Sequence, residues 1–425
     1  MRRDEWIDWI WLAEAIGRSG GAFRKLIGHF TRPKDLLEAD EEIIRAIPEL
    51  TERNVKGLMN KDLTAATKIF DACERLGISV LPYNDKQFPQ SLREIPDPPV
   101  LLYYVGKLPD FSHTFCIGMV GTRKMSESGM QSGYRLAYEL AGAQALIISG
   151  LAEGIDGVCA VGAMEGGGKT VAVIGCGLDI AYPRHHGKLM NRIVESGGAI
   201  LSEYPPGTRP MQYHFPIRNR IISGLSQMVI VVEAGMSSGS LITAKEAVTQ
   251  GRAVYAVPVD AGTAAAEGNN RLLRDGAKVA IEAQDIVDRY RYVFEKRPLA
   301  ERVRPLRGGA DREALRKYGV IGFEREKPIG SSAVERSEKA ERPAPTKRIV
   351  PSPTAEDAPK TVPDEVLQSL SPVQKAVLEA MPDDVPVTVE TIKTEYPFGE
   401  VLAALTVLEI SGIVRKLPGS MYGKA

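Results

Sequence analysis

Between Phe115 and about Tyr290, short and continuously apolar runs alternate with stretches of helical spacing. The runs read FCIGMVG, ALIISG, TVAVIGC, AILSEY, QMVIVVEA and AVYAVPV, with KVAI following them. Residues 129–143, 157–167, 188–197, 217–226, 239–251 and 269–277 fill the gaps. A strand apolar at every position has both faces buried, and strands alternating with helices pair in parallel through helical crossovers. The pattern predicts an α/β fold with a Rossmann-like, doubly wound and mostly parallel sheet.

The flanks carry other periods. Up to about residue 80, short amphipathic segments (Trp9–Ala15, Ala22–Phe30, Asp40–Ile47, Leu63–Leu76) are punctuated by Gly20-Gly21 and Pro33, which predicts a helical module. The proline-rich stretch from Pro82 to Pro109 reads as a segment docking onto the sheet domain. Residues 301–362 hold seven prolines and only Tyr318 and Phe323 as aromatics, too little apolar surface to offset the entropy of ordering, so a disordered linker is expected. Pro372–Ala380, Glu390–Glu395 and Phe398–Ile410 then read as three helices, followed by a hairpin around Pro418-Gly419. That is the order of a winged helix. The expected division is a helical module at 1–80, the Rossmann-like domain with its lead-in at 81–295, a linker at 296–362 and a winged helix at 363–425.

Composition narrows the function. Lys plus Arg equals Asp plus Glu, 54 to 54, so no global basic field exists and a polyanion site has to arise from local clustering. Cys73, Cys116, Cys159 and Cys176 show no CxxC spacing and read as buried reduced thiols of a cytosolic protein. No apolar run approaches the ~20 residues of a membrane span, and acids interrupt the first apolar stretch, unlike a signal peptide. A cytoplasmic protein without a membrane partner is expected. The histidines form no metal or triad constellation, and His185-His186 reads as a solvated loop.

Chemistry concentrates where strands turn into helices, the place open α/β sheets bind ligands. In FPIRNRIISGLSQMVIVVEAGMSSGSLITAKEA (215–247), Arg218, Asn219 and Arg220 lie on a helix before a strand. That strand breaks into a Gly/Ser turn with Ser238, Gly239, Ser240 and Thr243 opening the next helix. A helix N-terminus with small hydroxylated residues seats an anion, and the arginines add charge-assisted bonds. The turn has no GxxxxGK[ST] lysine, so phosphate is read without nucleoside-triphosphate hydrolysis. Phe215 suits base stacking and core filling equally. Gly121 and Arg123 form a second such turn, and Ser149 and Gly150 a third, with Asp156 a helix cap or a ligand contact. Gly175-Cys176-Gly177 lacks the third glycine of a dinucleotide fingerprint, and no cofactor is expected.

Taken in order, LPYNDKQFPQSLREIPDPPVLLYYVG, MVGTR, IISGLAEGID, TVAVIGCGLDIAYP, ILSEYPPG, FPIRNRIISGLS and VVEAGMSSGSLITAKEA resemble the DNA-processing protein A (DprA/Smf) family over residues 80–285. The resemblance implies a homodimer that binds single-stranded DNA on its Rossmann-like domain and loads the RecA recombinase during natural transformation and recombination. It implies no enzyme activity. It also implies an amino-terminal module of SAM or helix-hairpin-helix type, although GRSGGAFRKL lacks the glycine hairpin that grips DNA. The DNA-binding positions it carries over are Gly121, Arg123, Ser149, Gly150, Phe215, Arg218, Asn219, Arg220, Ser238, Gly239, Ser240 and Thr243. This chain departs from the family at Ala160, where a histidine is usual, and at Val259, where a glycine is. The alternative is a nucleotide phosphoribohydrolase of the lysine-decarboxylase-like family, whose signature falls on Ser238–Glu246 with Thr243 and Glu246 matching.

Overall fold

The computed structural model describes residues 2–18, 21–260, 263, 267–294 and 298–323, then 370–382 and parts of 387–424. The chain divides into two compact units, Met1–Ala333 and Val334–Ala425.

The first unit opens with α1 (Arg3–Ile16), α2 (Ala22–Leu26), α3 (Pro33–Glu38), α4 (Glu41–Arg45), α5 (Glu52–Met59) and α6 (Thr64–Leu76). Pro33 at the first turn of α3 and the Thr51/Asn54 capping box of α5 set helix starts, and Gly77 in a left-handed conformation ends α6. Ile10, Leu26, Leu36, Ile44, Leu58 and Phe70 close the bundle core. β1 (Ser79–Pro82), α7 (Gln90–Arg93) and β2 (Leu101–Gly106) follow, and the lead-in segment thus becomes sheet.

The α/β core runs β3 (Cys116–Val120), α8 (Glu127–Gly142), β4 (Leu146–Ser149), α9 (Ile155–Glu165), β5 (Thr170–Ile174), α10 (Gly187–Glu195), β6 (Ala199–Ser202), α11 (His214–Leu225) and β7 (Met228–Val231). It continues with α12 (Ser240–Thr249), β8 (Ala253–Ala256), α13 (Glu267–Arg274), β9 (Lys278–Val279) and α14 (Ala283–Tyr290). The strand order is β1-β2-β6-β5-β4-β3-β7-β8-β9. Along that order the strands from β6 to β9 are parallel, whereas β1 and β2 add two antiparallel strands at the β6 edge. Every residue of β3 to β7 is buried, as their uninterrupted apolarity requires. Ile117 pairs with Ile147 on one side and Met228 on the other, so the chain reverses its winding at β3. A doubly wound sheet opens its ligand crevice at that reversal.

Residues 298–323 differ from the linker expected over 296–362. They form a strap on the outer helices, with Leu299, Leu315, Tyr318 and Val320 buried. α15 (Arg312–Lys317) is capped by Asp311, whose side chain accepts from Ala314 N at 3.0 Å. The Ala300 amide donates to the Ala143 carbonyl (3.0 Å), and that of Ala310 to Gln131 Oε1 (2.7 Å). A strap needs few apolar anchors because it borrows a surface already built, and average composition misses it. The rest of the expected linker, 296–297 and 324–362, lies outside the described residues.

His186 is a second difference, because it is buried rather than solvated. Its Nδ1 lies 3.1 Å from the Leu151 carbonyl. Burial pulls its pKa from 6.5 down to about 4. The folded state then binds fewer protons than the unfolded one, so stability is complete above pH 6.5 and falls as pH drops towards about 4. The expected loss is about 1.4 kcal/mol per pH unit in that window. Urea denaturation across it will show the slope, and His186→Gln will flatten it.

In the second unit α16 (Pro372–Ala380) starts at a Ser371/Gln374 capping box. Residues 401, 404, 405 and 408 are helical, and β11 (Val414–Leu417) and β12 (Met421–Lys424) form the wing, joined by β10 (Val387–Thr388). Val377, Leu405, Leu408, Ile413 and Tyr422 make its core. This is a winged helix. Its expected second helix, 390–395, falls largely outside the described residues. Among the described residues no helix is long and apolar enough to cross a membrane, and no cluster is arranged to hold a metal ion.

Candidate nucleic-acid interface

A cleft of about 620 Å³ opens where β3, β4 and β7 end, at the winding reversal. Of the residues singled out from sequence, Gly121, Arg123, Phe215, Arg218, Asn219, Ser238, Gly239, Ser240 and Thr243 line it. They come from the turns after β3 and β7 and from the first turns of α11, far apart in the chain, and meet at the ends of the parallel strands.

The floor is cationic. Arg218, on α11, is only 4 % exposed, and its Nη1 donates to the Val173 carbonyl at 2.6 Å. Its Nε is buried with no partner among the described residues. Burial pulls its pKa down to about 10, with Asp156 opposing the fall and Arg123 adding to it. Asp156 lines the same cleft, and its Oδ2 accepts from the amides of Gly150 (3.0 Å) and Ala152 (3.3 Å). Burial raises its pKa against the pull of Arg218. One carboxylate thus faces two guanidiniums, and an unsatisfied buried N–H favours an incoming acceptor.

Arg123 is exposed at the mouth, its guanidinium carbon 5.3 Å from the Phe215 ring centre, and that of Arg218 is 6.0 Å away. Phe215 also stacks on Tyr182 (5.4 Å), so it combines packing with a ring at the cleft surface. The far wall is the start of α12, where Gly239 occupies the N-cap and supplies no capping side chain. Asn219 Nδ2 donates to the Gly239 carbonyl (3.3 Å), and Ser238 and Ser240 share a hydroxyl bond of 2.7 Å, which fixes the turn. The partial positive end of the helix points where an anion would sit.

Three expected contacts lie elsewhere. Ser149 is fully buried, its hydroxyl donating to the Asp156 carbonyl (3.4 Å). Gly150 lies behind Arg218, where a side chain would overlap the guanidinium and meet Asp156 Oδ2 at 2.7 Å. Arg220 is turned inward, paired with both Glu203 oxygens (2.7 and 2.9 Å) and with Asp97 (3.3 Å). Burial opposes its charge, but Glu203 and Asp97 hold its pKa above the ordinary value. The cleft gains Thr122, Lys124 and Ser237, which the sequence selection omitted, and Asp156, whose role the sequence left open. Lys124 was detectable as a second cation beside Arg123. Ala160 is buried in α9 and does not line the cleft, so that departure from the family is a core substitution. Glu246 does not line it either.

Two glycines give opposite tests. Gly150→Ala is expected to unseat Arg218 and weaken oligonucleotide binding about tenfold, the scale of one charge-assisted hydrogen bond, in a fluorescence-anisotropy titration. At Gly239 an added Cβ meets nothing within 4 Å, so Gly239→Ala will fold with parental stability.

Comparison with known proteins identifies the family. The family profile described as DNA recombination-mediator protein A matches residues 79–291, and that of the DprA winged helix domain matches 351–420. DNA processing protein DprA of Streptococcus pneumoniae is 42% identical over 208 residues, 49% of this chain and 73% of that protein. That of Bacillus subtilis is 41% identical over 221 residues, 52% of this chain and 74% of the relative. The X-ray structure of DNA processing protein A from Streptococcus pneumoniae superposes with a TM-score of 0.58 at 34% identity, covering 66% of this chain and 97% of that one. With its helical bundle, mostly parallel sheet and winged helix, the chain belongs to the DNA recombination-mediator protein A (DprA/Smf) family.

Proposed function

We propose that the cleft holds the phosphates of single-stranded DNA and that the protein delivers the strand to the RecA recombinase. The observation that carries the first part is Arg218, a buried guanidinium whose Nε has no partner among the described residues, beside a helix start whose N-cap, Gly239, has no side chain. A cleft of about 620 Å³ has the size of a small-molecule pocket and suits nucleotides of one strand better than a duplex. Membership of a recombination-mediator family supports the second part. The site residues are Gly121, Arg123, Phe215, Arg218, Asn219, Ser238, Gly239, Ser240 and Thr243, with Ser149 and Gly150 supporting them from behind. The protein acts in the cytoplasm as a homodimer. Val279 and Ile281, 51 % and 54 % exposed at the β9 edge of the sheet, which pairs with no further strand among the described residues, support a second copy there.

The test pairs two assays. Labelled single- and double-stranded oligonucleotides titrated at two salt concentrations will show preference for the single strand and a fall in affinity with salt. A nucleoside monophosphate incubated with the protein will release no free base. Base release that Glu246→Ala abolishes would instead establish the phosphoribohydrolase.

A further inference from the structure

We infer that Tyr213 is a stacking platform for a base of the strand whose phosphates occupy the cleft; this rests on the single-strand reading above. Tyr213 is 62 % exposed, and Met211 beside it 41 %. An aromatic ring left this far in water has apolar area available to a partner.

The ring is also held in place. It meets the His214 ring edge-on (4.5 Å, 80°), and His214 stacks in turn on Tyr204 (4.0 Å, 27°). His214 Nδ1 lies 3.0 Å from the Gly175 carbonyl, and the His214 amide donates to the Met211 carbonyl (2.9 Å). A fixed ring loses little entropy when a base covers its open face.

Position supplies the occupant. The cleft lies beyond the ends of β7, β3 and β4, and Phe215 sits over Gly175, just past β5. Tyr213, two residues earlier, stands on the His214–Tyr204 stack past the end of β6. The sheet order β6-β5-β4-β3-β7 places these groups along one line across the strand ends. A strand leaving the phosphate cleft past Phe215 therefore meets Tyr213 next. Arg209, exposed in the same loop and forming no ion pair among the described residues, supplies a cation for the adjoining phosphate. Stacking is tolerant of base identity, which suits a protein that takes any sequence.

The test uses the full chain with Tyr213→Ala and Tyr213→Phe, titrated with labelled oligo-dT and with an abasic oligomer of equal length. Tyr213→Ala will weaken oligo-dT binding about tenfold, the usual scale of one base–aromatic stack, and leave the salt slope unchanged. Tyr213→Phe will bind like the parent, and the abasic oligomer will not distinguish the three proteins. Parental oligo-dT affinity in Tyr213→Ala, or an equal loss for the abasic oligomer, overturns the platform. Arg123→Ala is titrated alongside. If the parent fails to bind, or Arg123→Ala keeps the full salt slope, the phosphate cleft falls and the platform with it. A normal Arg123 effect with a silent Tyr213→Ala removes the platform alone.

Discussion

Replacing Arg123 and Arg218 together by alanine is expected to weaken single-strand binding about a hundredfold or more. Each guanidinium offers charge-assisted hydrogen bonds worth about 1.5–3 kcal/mol when their loss leaves a charged partner unpaired. The two flank one Phe215 ring and so share an anion, which makes their effects coupled rather than independent. The net charge of zero leaves no diffuse basic surface to compensate. Because single strands lose affinity with salt at a slope of about −0.7 per neutralised phosphate, losing the one phosphate the pair shares should flatten the slope of the double variant by roughly 0.7. Arg218→Lys will not restore binding, since an ammonium cannot donate to Val173 and to a phosphate from one rigid fork. Titration of a labelled oligonucleotide over a salt series, with circular dichroism to confirm the fold, measures both quantities.

Arg220 should behave in the opposite way. Arg220→Ala leaves Glu203, itself 5 % exposed, without its bidentate partner, and Asp97 without its guanidinium. Breaking a buried pair by removing one member costs about 3–5 kcal/mol. The same cluster ties the amino-terminal module to α11: Arg18 Nε donates to the Glu203 carbonyl (3.0 Å), and the Gly21 amide to Asp97 Oδ1 (3.1 Å). Urea denaturation will register the loss, shared between the bundle and the sheet domain. Below the unfolding transition, the salt slope of Arg220→Ala should equal that of the parent, because Arg220 neutralises no phosphate.

Arg218 and Arg220 show what the sequence disclosed and where it stopped. Both read as cations on one basic helix, yet residues two apart on an α-helix point about 200° apart. One faces the cleft, and the other faces the lead-in segment. The strands were legible because a two-sided burial demands uninterrupted apolar runs, and the cleft residues because they sit at strand-to-helix turns. Strand order was not legible, so neither was the fact that two remote turns and the start of α11 share one crevice. Ser149 and Gly150 sit at such a turn but back the site instead of facing it, a distinction made only by packing against Asp156 and Arg218. The strap at 298–323 escaped because four apolar anchors in a polar, proline-containing stretch suffice once α8 and α9 present a surface. His186 escaped for a related reason: the segment 182–187 looks like any Pro/Gly loop until Leu151 and Gly157 close over the ring.

The central claim is that phosphate enters the cleft between Arg218 and the start of α12. A crystal structure of the full chain with a short oligo-dT tests it most directly. The account predicts a phosphate oxygen within hydrogen-bonding distance of Arg218 Nε and of a backbone amide at Gly239 or Ser240, with Arg123 closing over it. A well-ordered strand bound elsewhere, with no phosphate in this cleft, would contradict it.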